Sequence, residues 1–341
     1  MTTKIVIDNS FHFDSGISKV VSSIQNYYLS REDNNVEIEC LEKCKAFSLK
    51  EQFKRLMFLF KNRKLQILYV SAHVNVPWFA IFFKNVFLVM LYYEDLRTTP
   101  GETGVVKKII WLAYEWIARI NANIILFQST KCLYDFKNRG FNKQLCRYIH
   151  WPVTDLMESR NPPKARETIT LHMLGKPRKN PLFSFDLYQE LRLQFSSTKI
   201  NVIVDDKFKK KFHLMYVYLL NDTNTHVYDF PDVDVYDGIL QETTHYILTS
   251  RVEYGFSVPV YEFLYTNCTV SVPHNDFYHL MPTSFLYDQS DLDSCIASVR
   301  NALQMSQEKS SEWIRHALDM DHDRKTEAYK ILDSINNIMF K

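Results

Sequence analysis

Apolar residues fall along this chain in two alternating rhythms. Short runs rich in Val, Ile, Phe and Tyr mark strands, and between them apolar positions return every three or four residues, as on one face of a helix. In the first half this predicts strands over residues 4–8, 36–40, 65–70, 86–92, 123–128 and 146–149, with helices over 17–29, 45–64, 78–83, 105–122 and 131–138. Within 105–122 the repeat is carried by Trp111, Ala113, Tyr114, Ile117 and Ala118. Residues 158–167 (ESRNPPKARE) are polar, hold two prolines and read as a linker. The alternation then restarts, with strands over 169–174, 199–204, 226–230, 245–248 and 269–272 and helices over 182–193, 208–220, 236–242, 258–266 and 291–305. A last helical region, 310–338, is free to pack back on the first half. Strands alternating with helices predict an α/β chain of two domains, 1–157 and 168–341, each a parallel sheet covered on both faces. Such sheets bind ligands beyond the C-terminal ends of their strands, and clefts between domains are favoured ligand sites. Chemistry is therefore expected in the polar segments that follow strands.

Composition narrows the classes. The 341 residues are 46% hydrophobic, 14% aromatic and 23% charged, too apolar for a disordered chain. Six cysteines are too few for a disulfide framework; Cys40 and Cys44 lack a second pair at zinc spacing, and reduced thiols fit a cytoplasmic protein. The net charge of +2 gives no electrostatic footprint for nucleic acid. The most apolar stretch, 76–93, is interrupted by Lys84 and Asn85 and does not read as a spanning helix. The N-terminus lacks the pattern of a signal peptide. Seven glycines fall far below the usual ~7% share, so each one draws attention to its backbone. The segment 45–64 carries Lys45, Lys50, Lys54, Arg55, Lys61, Arg63 and Lys64 against Glu51, interleaved with Phe53, Leu56, Met57, Leu59 and Phe60. Two readings stay open for it: a surface helix with a solvated basic face, or peripheral contact with an anionic membrane.

Four segments are placed to carry chemistry. Asp8 to Ile17 ends a strand and opens a helix at Ser15-Gly16, whose backbone could approach an anion; it is neither a dinucleotide fingerprint nor a Walker loop. An ordinary capped turn would read the same way. Gly175-Lys176-Pro177-Arg178-Lys179 ends the first strand of the second half and sets three cations before a helix, a suitable place to stabilise a diphosphate or simply a solvated turn. Thr249 to Glu262 leads from a strand into a helix past Gly255; amides near Ser257 and Val258 could face a phosphate, and Glu262 could accept from ribose hydroxyls or lie on the surface. Glu94-Asp95 follows the 86–92 strand, as a carboxylate pair for acid/base work or as a hydrated loop.

The block from Ser250 to Glu262, Ser-Arg-Val-Glu-Tyr-Gly-Phe-Ser-Val-Pro-Val-Tyr-Glu, resembles the Ser-x-x-Glu-Gly-Phe-Gly-x-Pro-x-x-Glu signature of the retaining GT-B glycosyltransferases of family 4. Gly175-Lys176 with Arg178-Lys179 is similar to the Gly-Arg and following Lys of that family's second domain, and Ser15-Gly16 to its N-terminal Gly-Gly loop. Phe127-Gln128-Ser129 with Trp151-Pro152-Val153-Thr154 is similar to the close of its first domain. The resemblance runs thinly over nearly the whole chain. Tyr254 takes the place of the family's first glutamate, and eight residues separate Glu253 from Glu262 where the family has seven. Glu94-Asp95 stands where the family has His-Asp. Scarce glycine and abundant aromatics suggest a divergent member, of a kind a virus could carry.

The resemblance implies a GT-B-like fold of two Rossmann-like αβα domains facing a central cleft, the second holding a nucleoside diphosphate sugar. It implies a retaining, metal-independent hexosyltransferase that moves a hexose from a nucleoside diphosphate sugar, UDP over GDP being the family's preference and UDP-glucose one candidate, to a glycan, lipid or glycoprotein acceptor. Lys179 with Arg178 or Lys176 would neutralise the leaving diphosphate, Glu262 would hold the ribose, and backbone near Tyr228 to Pro231, with Phe230 and Pro231 donor-binding, would read the base. Gly175 and the loop Glu253, Tyr254, Gly255, Phe256, Ser257, Val258 would line the donor, Ser15 and Gly16 would approach it from the first domain, and Glu94 and Asp95 would be catalytic together with Lys179 and Arg178. No cofactor or metal is implied, because the cations take the metal's place; Asp232 and Asp234 spell Asp-x-Asp but fall near the base. A sugar-nucleotide epimerase or phosphorylase on the same fold, or a sugar-nucleotide-binding protein without turnover, are the competing readings.

Overall fold

The structure is a computed structural model and describes residues 3–9, 16–31, 36–42, 49–72, 76–92, 105–127, 133–134, 146–148, 167–230, 232–250, 257–275, 278 and 280–339. The chain divides into two compact units, residues 1–98 with 103–156 and 322–341, and residues 99–102 with 157–321.

The first unit is built on strands β1 (Thr3–Asn9), β2 (Val36–Glu42), β3 (Gln66–Ala72), β4 (Val86–Tyr92), β5 (Ile124–Phe127) and β6 (Cys146–Tyr148). They form one parallel sheet in the order β2-β1-β3-β4-β5-β6. Parallel strands are covered on both faces, so they need apolar residues at successive positions rather than alternate ones. β4, VFLVMLY, meets that demand, and its last five residues are buried. Helices α1 (Gly16–Leu29), α2 (Leu49–Lys61) and α3 (Val105–Asn121) make the crossovers. One buried polar knot stands inside: Asp8 at the C-terminal end of β1 accepts from Arg55 Nε of α2 at 2.7 Å and from the Tyr69 hydroxyl of β3 at 2.7 Å. All three side chains are buried, so the charge of Asp8 is matched by the guanidinium rather than by water.

The second unit carries β7 (Thr168–Met173), β8 (Lys199–Val204), β9 (Thr225–Asp229), β10 (His245–Ile247), β11 (Thr269–Pro273) and β12 (Leu286–Tyr287), parallel in the order β12-β11-β10-β7-β8-β9. Around them lie α4 (Pro181–Gln194), α5 (Asp206–Lys211), α6 (His213–Leu220), α7 (Val233–Glu242), α8 (Val258–Tyr265) and α9 (Leu292–Leu303). Ile169, Leu171, Leu187, Tyr188, Val202 and Phe208 are among the fully buried side chains of its core. Between β10 and α8, Tyr246 and Phe263 stack at 4.3 Å.

The last helix, α10 (Gln307–Met339), has residues in both units. Its second half is held against α1, where the Tyr27 hydroxyl donates to Asp333 at 2.5 Å, the Tyr28 hydroxyl to Asn336 at 3.2 Å, and Arg31 pairs with Asp333.

Two elements differ from the pattern of the sequence. The helix expected over 208–220 is two helices, because Phe212 leaves helical geometry (φ −123°, ψ 45°) while Asp205 caps the start of the first. The two-residue β12 carries no readable periodicity. Of the helix expected over 131–138 only residues 133–134 are described, and they are helical; residues 158–166 of the expected linker lie outside the described residues. Cys146, Cys268 and Cys295 are buried, and no helix among the described residues is long and apolar enough to cross a membrane.

Candidate functional site

Four neighbouring strands of the second unit, β10, β7, β8 and β9, end at one edge of their sheet, and each hands over to a polar segment there. After β7 the chain runs through Leu174 and Gly175 into a 3-10 turn, Pro177–Lys179, then through Asn180 in the left-handed region (φ 51°) into α4. The backbone at Gly175 is pressed against the start of α5: a Cβ added there would lie 2.4 Å from the Phe208 nitrogen and 2.5 Å from the Lys207 carbonyl carbon. One carboxylate oxygen of Asp205, just past β8, accepts from the Gly175 and Phe208 amides, each at 2.8 Å. Gly175 is thus needed for close packing of the chain on itself, which is a different reason for a glycine from approach to a ligand.

The basic turn is aimed along the strand ends. Lys179 Nζ donates to Ser250 Oγ at 3.2 Å, reaching from the end of β7 to the segment that follows β10. Beneath it, Ser184 of α4 donates to Thr249 at 2.6 Å, fixing the same two segments together. Lys179 also acts on His172 inside β7: burial drives that imidazole down to about 3, and the lysine's positive charge adds to the shift. His172 therefore stays neutral at physiological pH, with its Nδ1 in a 2.9 Å hydrogen bond with the Tyr246 hydroxyl. Arg178 and Lys176 flank Lys179 in the turn, both half-buried.

Glu262 lies one turn into α8 and is 4% exposed, which excludes the surface reading of that carboxylate. Tyr236 of α7 donates to its Oε2 at 2.8 Å. Burial, and then the charge of Glu262, hold the Tyr236 phenol well above its ordinary value, so it remains a donor. At the start of α8 the expectation about amides needs correction. Ser257 donates its N–H to the Tyr278 hydroxyl at 2.8 Å and is taken. Pro259 has no N–H, and that of Val260 bonds back to the Ser257 carbonyl at 3.1 Å. Val258 is the member of the expected pair whose amide has no partner among the described residues.

Past β9, Phe230 is 58% exposed and borders a hollow of about 430 Å³ with Val204, Asp205, Lys207, Lys209 and Asp229 among its walls. Asp205 and Lys207 are also what Gly175 packs against, so the hollow and the basic turn share a wall. Lys209 spans its rim, 2.8 Å from Asp206 and 3.1 Å from Asp229. Asp232 caps α7 by accepting from the Val235 amide at 3.0 Å.

The structure thus brings Gly175, Lys176, Arg178, Lys179, Phe230, Ser257, Val258 and Glu262 to the strand ends of one unit. Gly16 opens α1 of the first unit. Ser15, Glu94, Asp95, Pro231, Glu253, Tyr254, Gly255 and Phe256 lie outside the described residues. Asp205, His172, Tyr236 and Tyr278 belong to this site and were not singled out from sequence. Only Asp205 had a legible signal, an acidic residue between a strand and a helix start; the others act through contacts distant along the chain.

No family model matches the chain, and no curated protein matches it. Solved structures do. Anabaena Alr3699/HepE in complex with UDP and glucose superposes with a TM-score of 0.71 at 13% identity, over 98% of this chain and 99% of that one. A trehalose-6-phosphate structure from E. coli bound with UDP-2-fluoro glucose gives 0.67 at 10% identity, over 97% and 98%. An α,α-trehalose 6-phosphate synthase from Burkholderia multivorans gives 0.66 at 9%, over 99% and 98%. At these identities the likeness is one of fold, and with the two six-stranded parallel sheets it assigns the chain the GT-B architecture, two Rossmann-like α/β units in succession.

Proposed function

We propose that this chain is a retaining hexosyltransferase of the family 4 type that uses a UDP-sugar without a metal and acts in the cytoplasm. The observation that carries the proposal is the shared edge of β10, β7, β8 and β9, where a lysine turn follows β7, a buried carboxylate lies past β10, and a hollow bordered by Phe230 lies past β9. Open parallel sheets bind nucleotides at such an edge. Three structures of the same architecture contain UDP, UDP-glucose or UDP-2-fluoro glucose, which supports UDP as the donor's nucleotide and glucose as its sugar.

In this reading the nucleobase lies against Phe230. The ribose hydroxyls donate to Glu262, whose carboxylate Tyr236 orients. The diphosphate lies on the turn, where Lys179, Arg178 and Lys176 oppose the charge that grows as the bond from the anomeric carbon to the diphosphate oxygen breaks. An acceptor hydroxyl on a glycan, lipid or glycoprotein forms the new bond, and its proton leaves with the diphosphate. The contact between Lys179 and Ser250 sets the ammonium before substrate arrives, so little reorganisation is left for the reaction itself. Neutral His172 beneath Lys179 adds no further positive charge beside those of the turn.

Tyr254 in the place of the family's first glutamate favours one alternative, a protein that binds a nucleotide sugar without turning it over. Incubation with UDP- and GDP-sugars, following release of the nucleoside diphosphate, separates the two. Transfer chemistry predicts UDP release that Lys179→Ala and Glu262→Ala abolish. Binding without release would favour the alternative, and release indifferent to both substitutions would refute the site assignment.

A further inference from the structure

Helix α2 is docked with its polar side inward. Glu51, Gln52, Arg55 and Leu59 are buried, while Leu49, Phe53, Met57 and Phe60, one line at helical spacing, are exposed, Leu49 by 73% and Phe53 by 62%. The rotation is not incidental. Arg55 is fixed by its pair with Asp8, and Gln52 donates to the Val76 carbonyl at 3.2 Å and accepts from the Trp78 amide at 3.1 Å. Turning the apolar line inward would break all of these and strand a buried charge.

Two neighbouring elements repeat the arrangement. In the 3-10 turn Ala80–Phe82 and the residue before it, Phe79, Ile81 and Phe82 are exposed, Phe82 by 78%. In α3 the exposed line is Ile109, Leu112, Trp116 and Ile120, with Trp116 at 63%, while Glu115 and Asn121 are buried. Asn121 accepts from the Ile81 amide at 2.7 Å and donates to the Trp78 carbonyl at 3.2 Å, so residues 76–82 are tied to α2 on one side and to α3 on the other. The β2-to-β3 and β4-to-β5 crossovers step in the same direction along the sheet. Right-handed crossovers place their helices, α2 and α3, on one face. The opposite face, which bears α1, is covered by the end of α10.

We propose that this face, formed by α2, residues 79–82 and α3, docks on a bilayer surface that carries anionic lipid. The apolar line of α2 is edged by exposed Lys50, Lys54 and Lys61, with Arg63 and Lys64 beyond its end. The one acid in 49–64, Glu51, is buried and pairs with Lys54 at 2.9 Å, so the basic margin rests on Lys50, Lys61, Arg63 and Lys64. Apolar side chains with aromatics at the centre and cations at the margin fit the boundary between acyl chains and anionic headgroups. A second copy of the chain is a poorer occupant, because an isologous contact sets a face against itself and would press one basic face against an identical one. The inference is independent of the donor reading, since it concerns another face and another readout.

Co-sedimentation of the full chain with phosphatidylcholine vesicles, with and without phosphatidylserine, tests it. The expected result is pelleting with the phosphatidylserine vesicles that weakens as salt rises. Phe82→Asp with Trp116→Asp should lower the partition roughly tenfold or more, as should Lys50→Glu with Lys61→Glu, with melting temperatures of the variants unchanged. These are exposed positions, and the two pairs check one another. Failure of the wild type to pellet with phosphatidylserine vesicles would overturn the proposal, as would pelleting that neither pair alters. A wild-type dimer made monomeric by Phe82→Asp with Trp116→Asp, with no lipid binding, would overturn it in favour of a second copy.

Discussion

At the scale of single residues, Gly175 and Gly238 make opposite predictions. At Gly175 an added methyl meets backbone of α5 at 2.4 Å, and backbone cannot step aside as a flexible side chain can. Gly175→Ala should cost about 1–3 kcal/mol of stability. Gly238, exposed within α7, has nothing within 4 Å of such a methyl. Gly238→Ala should therefore gain about 0.5–1 kcal/mol, because alanine loses less backbone freedom in a helix. Urea unfolding of both variants checks the pair, and equal effects would contradict the packing described. The scarcity of glycine made Gly175 conspicuous in the sequence, but its reason was not legible: the crowding comes from Lys207 and Phe208, which only the pairing of β7 with β8 brings near. Glu262 teaches the same lesson. A carboxylate one turn into a helix reads as surface until Tyr236 closes over it.

At the scale of elements, most strands were legible because a parallel strand buried on both faces is a continuous apolar run that no other element requires. Residues 86–92 and 199–204 coincide with β4 and β8. What periodicity cannot say is which side of a helix faces in. In α2 the apolar line is as clear as in any core helix, yet the buried pair of Arg55 with Asp8 decides the rotation. The exposed line of α3 was equally hidden: Ala113, on the repeat read from sequence, is exposed along with Leu112 and Trp116. If the pair governs the docking of α2, Arg55→Met should cost about 3–5 kcal/mol by leaving Asp8 charged and buried. Adding Asp8→Asn should restore most of that loss. A double-mutant cycle by chemical denaturation measures it, and strictly additive losses would show that the two residues act separately.

At the scale of the whole molecule, the α/β class and the two-sheet architecture followed from alternation alone. The proposed ligand rests on a motif, of which the described residues cover part. Two histidines whose protonation the fold opposes add a consequence for stability. His245 is fully buried, with Nδ1 2.9 Å from Thr269 Oγ1 and Nε2 3.0 Å from Ser271 Oγ, and burial lowers it to about 3. The unfolded chain takes up a proton near pH 6.5 that the folded chain refuses. The folded chain's advantage is therefore complete above pH 6.5 and is lost as pH falls toward 3, at about 1.4 kcal/mol per pH unit for each such histidine. His172, lowered to about 3 as well, titrates in the same window. Melting temperature should fall across that range, and less steeply in His245→Gln.

The central claim is that the strand ends of the second unit form a nucleotide-sugar site around Lys179. Calorimetric titration of UDP and UDP-glucose into the full chain tests it most directly. The account predicts saturable binding of both, weakened at least roughly tenfold by Lys179→Ala and unchanged by Gly238→Ala. Absence of binding, or equal affinity in wild type and Lys179→Ala, would contradict it.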